Sequence, residues 1–348
     1  MKKQYLLIPL VLLIYLSCED KKEDEDTTLI PDTNPTEVTL WGEVYSVENT
    51  DTIYLNISGL IGPIPSEIGN LTNLTYLNLG GNQLTGEIPS EIGNLTNLND
   101  LSFGSNQLTG IPSEIGNLTN LTYLNLVWNQ LTGPIPPEIG NLTNLTYLGL
   151  NDNQITGEIP PEIGNLNNLT GLHLGNNQFT REIPPEIGNL TNLTRLILYN
   201  NQLTRMIPSE IGNLTNLTYL NLRDNQLIGS IPPEIGSLTN LNRLFLYNNQ
   251  LAGSIPIEIS NLTNLTELGL ENNRLTGPIP SEISNLTNLT KLILNDNQLT
   301  GVIPEIICDL NINWNNSDYF RISYNQLCPP YPSCIEDYVG VQDITNCD

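Results

Sequence analysis

Leucine and isoleucine recur along this chain with a period of 24 residues over most of its length. The unit at residues 117–140, NLTNLTYLNLVWNQLTGPIPPEIG, shows the pattern. Leu124 and Leu126 alternate with more polar neighbours, which predicts a short strand with one buried face. The seven apolar positions of this unit, which return in the other units with minor exchanges, are Leu118, Leu121, Leu124, Leu126, Leu131, Ile135 and Ile139.

The second half of the unit contains the signals of a tight helical turn. Pro136 and Pro137 stand where such a turn would begin, and Gly140 follows where it would end. The unit therefore reads as strand, turn, short 3₁₀-like segment and turn. One unit alone would expose its apolar side chains, so stacking of neighbouring units is needed to bury them, with strands in a parallel sheet about 4.8 Å apart.

Alignment on the recurring asparagine gives ten full units. All have 24 residues except the second, which lacks one residue between Gly110 and Ile111. A degenerate unit precedes them at 52–69, and another follows at 313–336. The ten units are 70–93, 94–116, 117–140, 141–164, 165–188, 189–212, 213–236, 237–260, 261–284 and 285–308.

An asparagine follows the strand in every unit, as Asn129 does in the third. A buried bend leaves backbone donors and acceptors without sheet partners, which is costly. We expect the asparagine amide to satisfy these groups and to link one level to the next. The many Asn-Leu-Thr triplets match N-glycosylation sequons, but they are more simply part of the repeat.

Charge and composition exclude several function classes. The 348 residues include 37 acidic and 12 basic side chains, a net charge of −25, which argues against a nucleic-acid partner. The only histidine, His173, has no serine or cysteine nucleophile apparent beside it, so neither a catalytic residue nor a zinc site is predicted. The glutamate recurring as in Glu138 predicts a solvated face rather than a calcium ladder. No enzyme activity, cofactor or metal is expected.

The N-terminal residues differ in kind from the repeats. Lys2 and Lys3 precede an apolar run that ends at Leu16-Ser17-Cys18, and an acidic stretch follows. Residues 1–17 resemble a bacterial lipoprotein signal, which implies cleavage before Cys18 and a lipid on its sulfur; an ordinary secretory signal is the alternative. Residues 18–38 predict an acidic flexible tether. The expected location is the cell envelope, as an outer-membrane or cell-surface lipoprotein, otherwise secreted, with membrane contact only through the anchor.

The unit N-L-x-x-L-x-x-L-x-L-x-x-N-x-L-x-G-x-I-P-x-E-I-G resembles the 24-residue leucine-rich repeats of plant receptor-like kinase ectodomains and polygalacturonase-inhibiting proteins. The resemblance covers residues 52–336. It implies an α/β repeat solenoid: a right-handed superhelix with a parallel concave sheet, short 3₁₀ or turn segments on the convex side, and an extra short sheet near the x-I-P segment. It also implies recognition of peptides, glycans or proteins. One departure is that Trp41-Gly42 has no cysteine pair nearby.

Caps are expected at both ends of the ten units, which occupy 70–308. Residues 39–69 form the N-terminal cap with the degenerate first repeat, and Trp41 covers that repeat. Residues 309–348 form the terminal repeat and a cysteine-containing cap. Together with Cys308, the three cysteines of this cap allow three disulfide connectivities. The repeat frame favours Cys308–Cys334 with Cys328–Cys347.

Four positions per unit vary, and they flank the inward leucines, so they face the concave solvent. Arg195, Arg223 and Arg243 occupy these positions on three consecutive levels, interleaved with aromatic rings, in an otherwise acidic chain. The candidate ligand-binding residues are Arg195, Tyr199, Tyr219, Arg223, Arg243, Phe245, Tyr247, Tyr123, Trp128 and Tyr147. Arg181 and Arg205 replace the usual glycine on the flank of two adjacent levels.

This patch predicts a recognition function. Arginine forks would receive anionic groups, and rings would pack on a sugar or a peptide. The alternative is that the arginines only solubilise the face by pairing with Asp224 and nearby glutamates. The leading hypothesis is a non-enzymatic, surface-exposed protein that binds a protein, peptide or glycan ligand on its concave face, with anionic ligands included. Two other hypotheses are a structural or adhesion component of the cell envelope without a defined ligand, and an inhibitor of extracellular carbohydrate-active enzymes.

Overall fold

The structure is a computed structural model that describes residues 36–347. Each repeat contributes one short strand to a single 12-stranded sheet whose strands are all parallel and follow one another in chain order. The described residues contain no α-helix, so the helical part of each unit is a 3₁₀ segment. The strands are Thr52–Tyr54, Tyr76–Asn78, Asp100–Ser102, Tyr123–Asn125, Tyr147–Gly149, Gly171–His173, Arg195–Ile197, Tyr219–Asn221, Arg243–Phe245, Glu267–Gly269, Lys291–Ile293 and Phe320–Arg321. The predicted leucine-rich-repeat solenoid is confirmed.

The register of the sheet places equivalent positions of successive units side by side. Leu124 pairs with Leu148, which pairs with Leu172. The side chains of these leucines are fully buried, as are those of Leu126 and its counterparts. One continuous core therefore runs through the stacked units, which is why a single unit would not fold alone.

A second set of short parallel strands lies just before the Ile-Pro segment, as the family resemblance implies, but it is interrupted twice. The first interruption follows the unit that lacks a residue after Gly110. The second lies beside Arg205, where most units have glycine. The three stretches consist of Ile61–Pro63, Gln83–Gly86 and Gln107–Leu108; of Thr156–Gly157, Gln178–Arg181 and Gln202–Leu203; and of Ile228–Gly229, Gln250–Ser254, Arg274–Gly277, Gln298–Val302 and Gln326–Cys328.

Each 3₁₀ segment begins after a proline in an extended conformation, such as Pro136 with ψ 133°. The segment of this unit ends at Asn141, so Gly140 lies inside it and does not terminate it as predicted. Glycine is required there for packing, because a Cβ on Gly140 would lie 2.7 Å from the backbone oxygen of Glu162 in the next unit. The segments are Ser66–Asn70, Ser90–Asn94, Ser113–Asn117, Pro137–Asn141, Pro161–Asn165, Pro185–Asn189, Ser209–Asn213, Pro233–Ser237, Ile257–Asn261, Ser281–Asn285 and Glu305–Asp309.

The asparagine after each strand satisfies the buried bend, as predicted. The Nδ2 of Asn201 donates to Leu198 O in its own unit at 3.1 Å and to Leu174 O in the preceding unit at 3.1 Å. Its Oδ1 accepts a bond from the backbone N–H of Phe179 at 3.0 Å. The link between levels therefore runs from side chain to backbone. The same arrangement recurs from Asn82 to Asn325.

The ends of the core are covered differently. At the N-terminal end, an antiparallel hairpin of Glu37–Leu40 and Glu43–Ser46 precedes the first repeat, and the turn residue Trp41 packs against the core. This hairpin includes the last two residues of the predicted tether, Glu37 and Val38, and the side chain of Val38 is buried.

At the C-terminal end, Cys308 is bonded to Cys334 and Cys328 to Cys347, the connectivity that the repeat frame favours. The first bond joins the last 3₁₀ segment to the terminal repeat, with the two Cα atoms 5.7 Å apart. The second holds the final residues against the last short strand. The disulfides therefore close the otherwise open edge of the solenoid.

Candidate functional site

The outward-facing side chains of the 12-stranded sheet form in-register columns that run across the repeats. In one column Arg195 neighbours Tyr219, which neighbours Arg243. In the column beside it, His173, Ile197, Asn221 and Phe245 follow one another. A site on this concave face is therefore assembled from residues 24 positions apart in the chain.

The fourth variable position of each unit, where Trp128 lies in the third, has a constraint that the sequence analysis missed. Its backbone has a positive φ in all ten units, for example 55° at Trp128 and at Asp224. Residues with a Cβ rarely adopt this conformation, and glycine, asparagine and aspartate tolerate it best. This explains why Gly, Asn and Asp occupy the position in most units. The position therefore accepts different side chains, but its backbone conformation is restricted.

Arg223 is the central charged group of the concave face. Its guanidinium lies over the ring of Tyr199 at 4.9 Å from the centroid and over that of Tyr247 at 5.4 Å. It also donates a hydrogen bond to the Tyr247 hydroxyl, and its Nε lies 3.5 Å from Asp224 Oδ2. Two rings and an anion therefore hold the guanidinium in one orientation.

The ring of Tyr199 is positioned by Gly175 in the preceding unit. A Cβ on Gly175 would lie 2.5 Å from Tyr199 Cε1, so only glycine leaves room for the ring to lie across that level. Gly269 has a similar role at the other side, since its Cβ would lie 3.2 Å from both Phe245 and Tyr247. Small residues in the columns thus make space for the large ones.

Beside Arg223 the face is hollowed into a cavity of about 430 Å³, here called the concave pocket. Five of the predicted ligand-binding residues line it. Three charged residues from later levels line it as well, and the sequence analysis did not select them as site residues. The lining residues are Tyr199, Tyr219, Asn221, Arg223, Phe245, Tyr247, Gly269, Glu271, Lys291, Ile293 and Arg321.

Glu271 gives the concave pocket an unusual electrostatic character. Its Oε2 is buried and has no hydrogen-bond partner among the described residues. Burial raises the pKa of Glu271, while its own backbone N–H, Arg321 and Lys291 oppose the shift. A buried carboxylate oxygen without a donor is costly unless a ligand supplies one. The pocket therefore offers one acceptor and three cations, which suits a ligand that has both a positive and a negative group.

Two predicted arginines lie outside the concave pocket. Arg243 Nε lies 2.9 Å from Glu267 Oε1, in the neighbouring strand. Arg195 lies over the ring of Tyr219, at 5.0 Å from its centroid. The basic patch expected on three consecutive levels is therefore partly ion-paired. For the Arg243 side chain, this agrees with the alternative interpretation that the arginines pair with nearby acidic residues.

A second aromatic cluster lies toward the N-terminal side of the concave face. The rings of Tyr123 and Tyr147 stack with centroids 4.8 Å apart, and the Tyr147 hydroxyl lies 3.1 Å from His173 Nδ1. Burial, with a smaller effect from Arg195, lowers the pKa of His173 to about 4, so the imidazole is neutral at pH 7. Trp128 stands apart from this cluster and is 61% exposed.

The flank arginines lie away from the concave pocket, on the side of the second strands. Arg181 Nε lies 3.5 Å from Glu158 Oε2, and both side chains are exposed. Arg205 and Met206 line a separate, largely apolar cavity of about 480 Å³ that also includes Pro208 and Pro232. Neither arginine contributes to the concave pocket.

Within residues 36–347 there is no cluster of three or more histidine, cysteine, aspartate or glutamate side chains arranged to hold a metal ion. Nor does that part of the chain include a helix with the length and apolarity to cross a membrane. Cys18 and the predicted signal and tether up to residue 35 lie outside the described residues.

The family model for a leucine-rich repeat region matches residues 53–135, 130–224 and 201–311. The chain belongs to the leucine-rich-repeat family. Comparison with curated protein sequences gives no match.

Solved structures similar to this leucine-rich-repeat chain come from plants and bacteria. A plant peptide hormone receptor, RGFR1 in complex with RGF2, is 40% identical over 84% of this chain and 47% of the receptor, with a TM-score of 0.79. A leucine-rich-repeat protein of Leptospira interrogans is 38% identical over 81% of this chain and 68% of that protein, with a TM-score of 0.66. A plant ice-binding protein is 32% identical over 72% of this chain and 80% of that protein, with a TM-score of 0.58.

The leucine-rich-repeat chain thus spans about half the length of the plant receptor that it matches. Two of these relatives are described as a receptor and as an ice-binding protein. The similarity to receptor ectodomains, together with two disulfides, indicates a secreted or surface protein. The leucine-rich-repeat ectodomain fold of a peptide receptor indicates ligand binding.

Proposed function

We propose that this leucine-rich-repeat protein is a non-enzymatic recognition protein that binds a peptide or a protein segment in the concave pocket. The observation that carries the proposal is the buried Oε2 of Glu271, which has no donor in the described chain and faces a cavity that also contains Arg223, Lys291 and Arg321. A ligand with an amine or amide donor and a carboxylate satisfies both kinds of group.

The mechanism is preorganisation. Tyr199 and Tyr247 already hold Arg223 on both sides, so the guanidinium loses little freedom when an anion arrives. The rings of Tyr219 and Phe245 provide apolar surface on a stiff sheet, where a broad contact can form without a deep cleft.

The balance of charges favours a peptide over a sulfated or carboxylated glycan. The three cations would attract either ligand, but a sulfated or carboxylated glycan brings only anionic groups to the carboxylate of Glu271, whereas a peptide segment can place its positive group there. The relative described as a peptide hormone receptor in complex with RGF2 supports the same choice. A glycan ligand, inhibition of a carbohydrate-active enzyme and a purely structural role remain as outcomes of the test.

We place the protein at the cell surface, with Cys18 as a lipid-bearing residue at the start of an acidic tether. The support for this anchor is the Lys2-Lys3 start, the apolar run and the position of Cys18. An outer-membrane or cell-surface lipoprotein is the proposed form.

The function is tested by screening the full-length protein against peptide, secreted-protein and glycan arrays. We expect selective hits among peptides or proteins, and Arg223→Ala and Glu271→Gln should each abolish them. Arg274→Ala is the matched control, since Arg274 is an exposed arginine on the second strands, bonded to Gln250. Hits confined to glycans would overturn the peptide assignment. No selective hit at all would favour the structural role.

A second candidate function is adsorption to ice. One relative, of which this chain covers 80%, is described as a plant ice-binding protein. The specific observation that favours it is the segment NLTNLT, which begins all ten units in close variants and never includes a charged residue, although the chain has a net charge of −25. The test is whether the full-length protein partitions into growing ice and inhibits recrystallisation.

A further inference from the structure

The six-residue segment that opens each repeat builds a surface distinct from the concave face. It occupies residues 70–75, 94–99 and 117–122, and then recurs every 24 residues up to 285–290. Its two leucines are buried, and its first, third and fourth residues are exposed in every unit. We call the surface formed by the first, third, fourth and sixth residues the Asn/Thr face.

The composition of the Asn/Thr face is uniform. Every residue on it is Asn or Thr, apart from Ser237, and Asn replaces Thr only at Asn99, Asn167 and Asn242. The surfaces of soluble proteins ordinarily mix charges of both signs. A face without charge in an acidic chain therefore needs a reason, since the core and the asparagine after each strand do not require it.

Hydrogen bonds between levels hold these side chains in repeated positions. The Nδ2 of Asn192 donates to Asn167 O at 2.8 Å, and the Nδ2 of Asn216 donates to Thr191 O at 2.9 Å. This ladder runs from Asn73 to Asn288 with every distance at 2.8 or 2.9 Å. Because hydrogen bonds of nearly the same length recur at every level, the levels are evenly spaced, at about 4.8 Å for parallel strands.

The sixth residue forms a second ladder beside the first. Thr170 Oγ1 donates to Thr146 O at 2.9 Å, and Thr194 Oγ1 donates to Thr170 O at 2.9 Å. Each ladder uses one donor of every Asn or Thr side chain that takes part in it. Each Asn therefore keeps its Oδ1 and a second N–H for solvent, and each Thr keeps its oxygen as an acceptor. The hydroxyls at the third residue of the segment, such as those of Thr191 and Thr215, form no hydrogen bond to protein atoms within residues 36–347.

Two parallel furrows run along the Asn/Thr face between these columns. One, of about 670 Å³, lies between the fourth and sixth residues and extends from Asn168 to Asn264. The other, of about 850 Å³, lies between the first and third residues and extends from Gly164 to Ser237. Each level of a furrow offers the same donors and acceptors at the same spacing, so it presents an ordered row of water sites.

We propose that the Asn/Thr face is the surface that adsorbs to ice; this inference rests on the second function proposed above. A hydrogen bond to one water molecule gains little over its bonds in the liquid. A solid whose molecules repeat at the spacing of the face engages all levels at once, and many weak contacts then add. Side chains already held by the ladders lose little freedom in the process.

The same features argue against a crystalline polysaccharide. The Asn/Thr face includes no aromatic ring on which a sugar could pack and no charged fork. The solvent-facing aromatic residues of the repeats lie on the concave face instead, as Tyr199 and Tyr219 do, while Phe103 and Phe179 are buried in the core.

The test places charge in the middle of the Asn/Thr face of the full-length protein. The variant combines Thr191→Lys, Thr215→Lys and Thr239→Lys, whose hydroxyls are exposed and take no part in either ladder. The matched control combines Gln178→Lys, Gln202→Lys and Gln226→Lys, three exposed positions on or beside the second strands. Circular dichroism and thermal melting check the fold of both.

We expect the wild type and the control variant to partition into ice, and the face variant to lose about tenfold in adsorbed protein, since cooperative weak contacts are lost together. If the wild type does not adsorb, the second function itself fails. If the wild type and the face variant adsorb equally, ice binding stands and its assignment to the Asn/Thr face is wrong. Adsorption of the wild type to crystalline cellulose or chitin but not to ice would overturn the proposal in favour of a polysaccharide.

Discussion

The guanidinium of Arg223 lies 4.9 Å from the centre of the Tyr199 ring, one level earlier in the sheet. The ring reaches that point only because Gly175, another level earlier, has no side chain. Three successive repeats thus cooperate to place one charged group, although each residue belongs to a different unit. The geometry of the concave pocket depends on the sizes of the side chains as much as on their charges.

We therefore predict that Gly175→Ala impairs ligand binding without removing any charged group. A Cβ there would lie 2.5 Å from Tyr199 Cε1, so the ring must move and Arg223 loses one of its two supports. Isothermal titration with a ligand identified on the arrays should show about a tenfold loss in affinity, as for loss of one partly desolvated cation–π contact.

Gly110→Ala is the control for this glycine change. A Cβ on Gly110 would meet the flexible side chain of Glu87 at 3.1 Å, which can move aside. Its affinity should match that of the wild type. Unchanged affinity of Gly175→Ala would mean that Tyr199 does not position the guanidinium.

Glu271→Gln should make the protein more stable at neutral pH and weaken ligand binding. Burial raises the pKa of Glu271 in the folded protein. A raised folded pKa contributes stability that is present below the unfolded pKa, about 4.3 for glutamate, and is lost as the pH rises through the folded pKa. The ionised Glu271 therefore destabilises the fold at pH 7, and a neutral amide does not.

Scanning calorimetry at pH 7 and at a pH below the ordinary glutamate pKa measures this effect. The melting temperature of Glu271→Gln should exceed that of the wild type at pH 7, and the difference should shrink at the acid pH. Glu267→Gln serves as the control, because Glu267 is paired with Arg243 at 2.9 Å and its loss should give no gain. A lower melting temperature for Glu271→Gln at pH 7 would contradict the electrostatic role given to this residue.

Cys18→Ala should release the protein from the membrane fraction. A lipid on the Cys18 sulfur is the proposed anchor. Without that sulfur, the apolar run of residues 5–16 is the remaining proposed membrane contact, and it is present only before cleavage. Fractionation and detergent partitioning of cells that express either form provide the measurement. Ser17→Ala, one residue earlier, is the control and should stay in the membrane fraction. Retention of Cys18→Ala would instead point to an ordinary secretory signal with another means of attachment.

Much of the fold could be predicted from the residues, because the same packing positions recur in ten units and can be recognised by comparing them. Leu124, Asn129 and the cysteine frame at Cys308 and Cys334 all lie where the pattern indicates. Gly140 was misread as a terminator, since a single unit does not show that Glu162 of the next unit approaches it.

The candidate site could be predicted only in part. The alternation along the strand identified the columns of Arg223, Tyr199 and Tyr247. It could not show which arginines are ion-paired, because Arg243 depends on Glu267 in the neighbouring strand. It also gave no reason to select Glu271, whose importance comes from burial in three dimensions. Reading each column across levels, rather than each unit along the chain, would have brought Lys291 and Arg321 to attention.

The asparagine column is expected to contribute more to stability than the exposed ladder of the Asn/Thr face. Asn201→Ala would leave the N–H of Phe179 and the carbonyls of Leu174 and Leu198 without their partner in a buried bend. Because unsatisfied buried groups cost about 1–3 kcal/mol each and the carbonyls keep other bonds, we expect a loss of about 3 kcal/mol in the free energy of unfolding.

The matched variant for this comparison is Asn192→Ala, which removes one bond to Asn167 O at an exposed position. Water can replace that bond, so the loss should be about 0.5 kcal/mol. Urea denaturation followed by circular dichroism measures both values. Equal losses would mean that burial does not distinguish the two ladders. Asn201 and its counterparts after each strand would then be no more than turn residues, and the continuity of the solenoid would depend on the leucines alone.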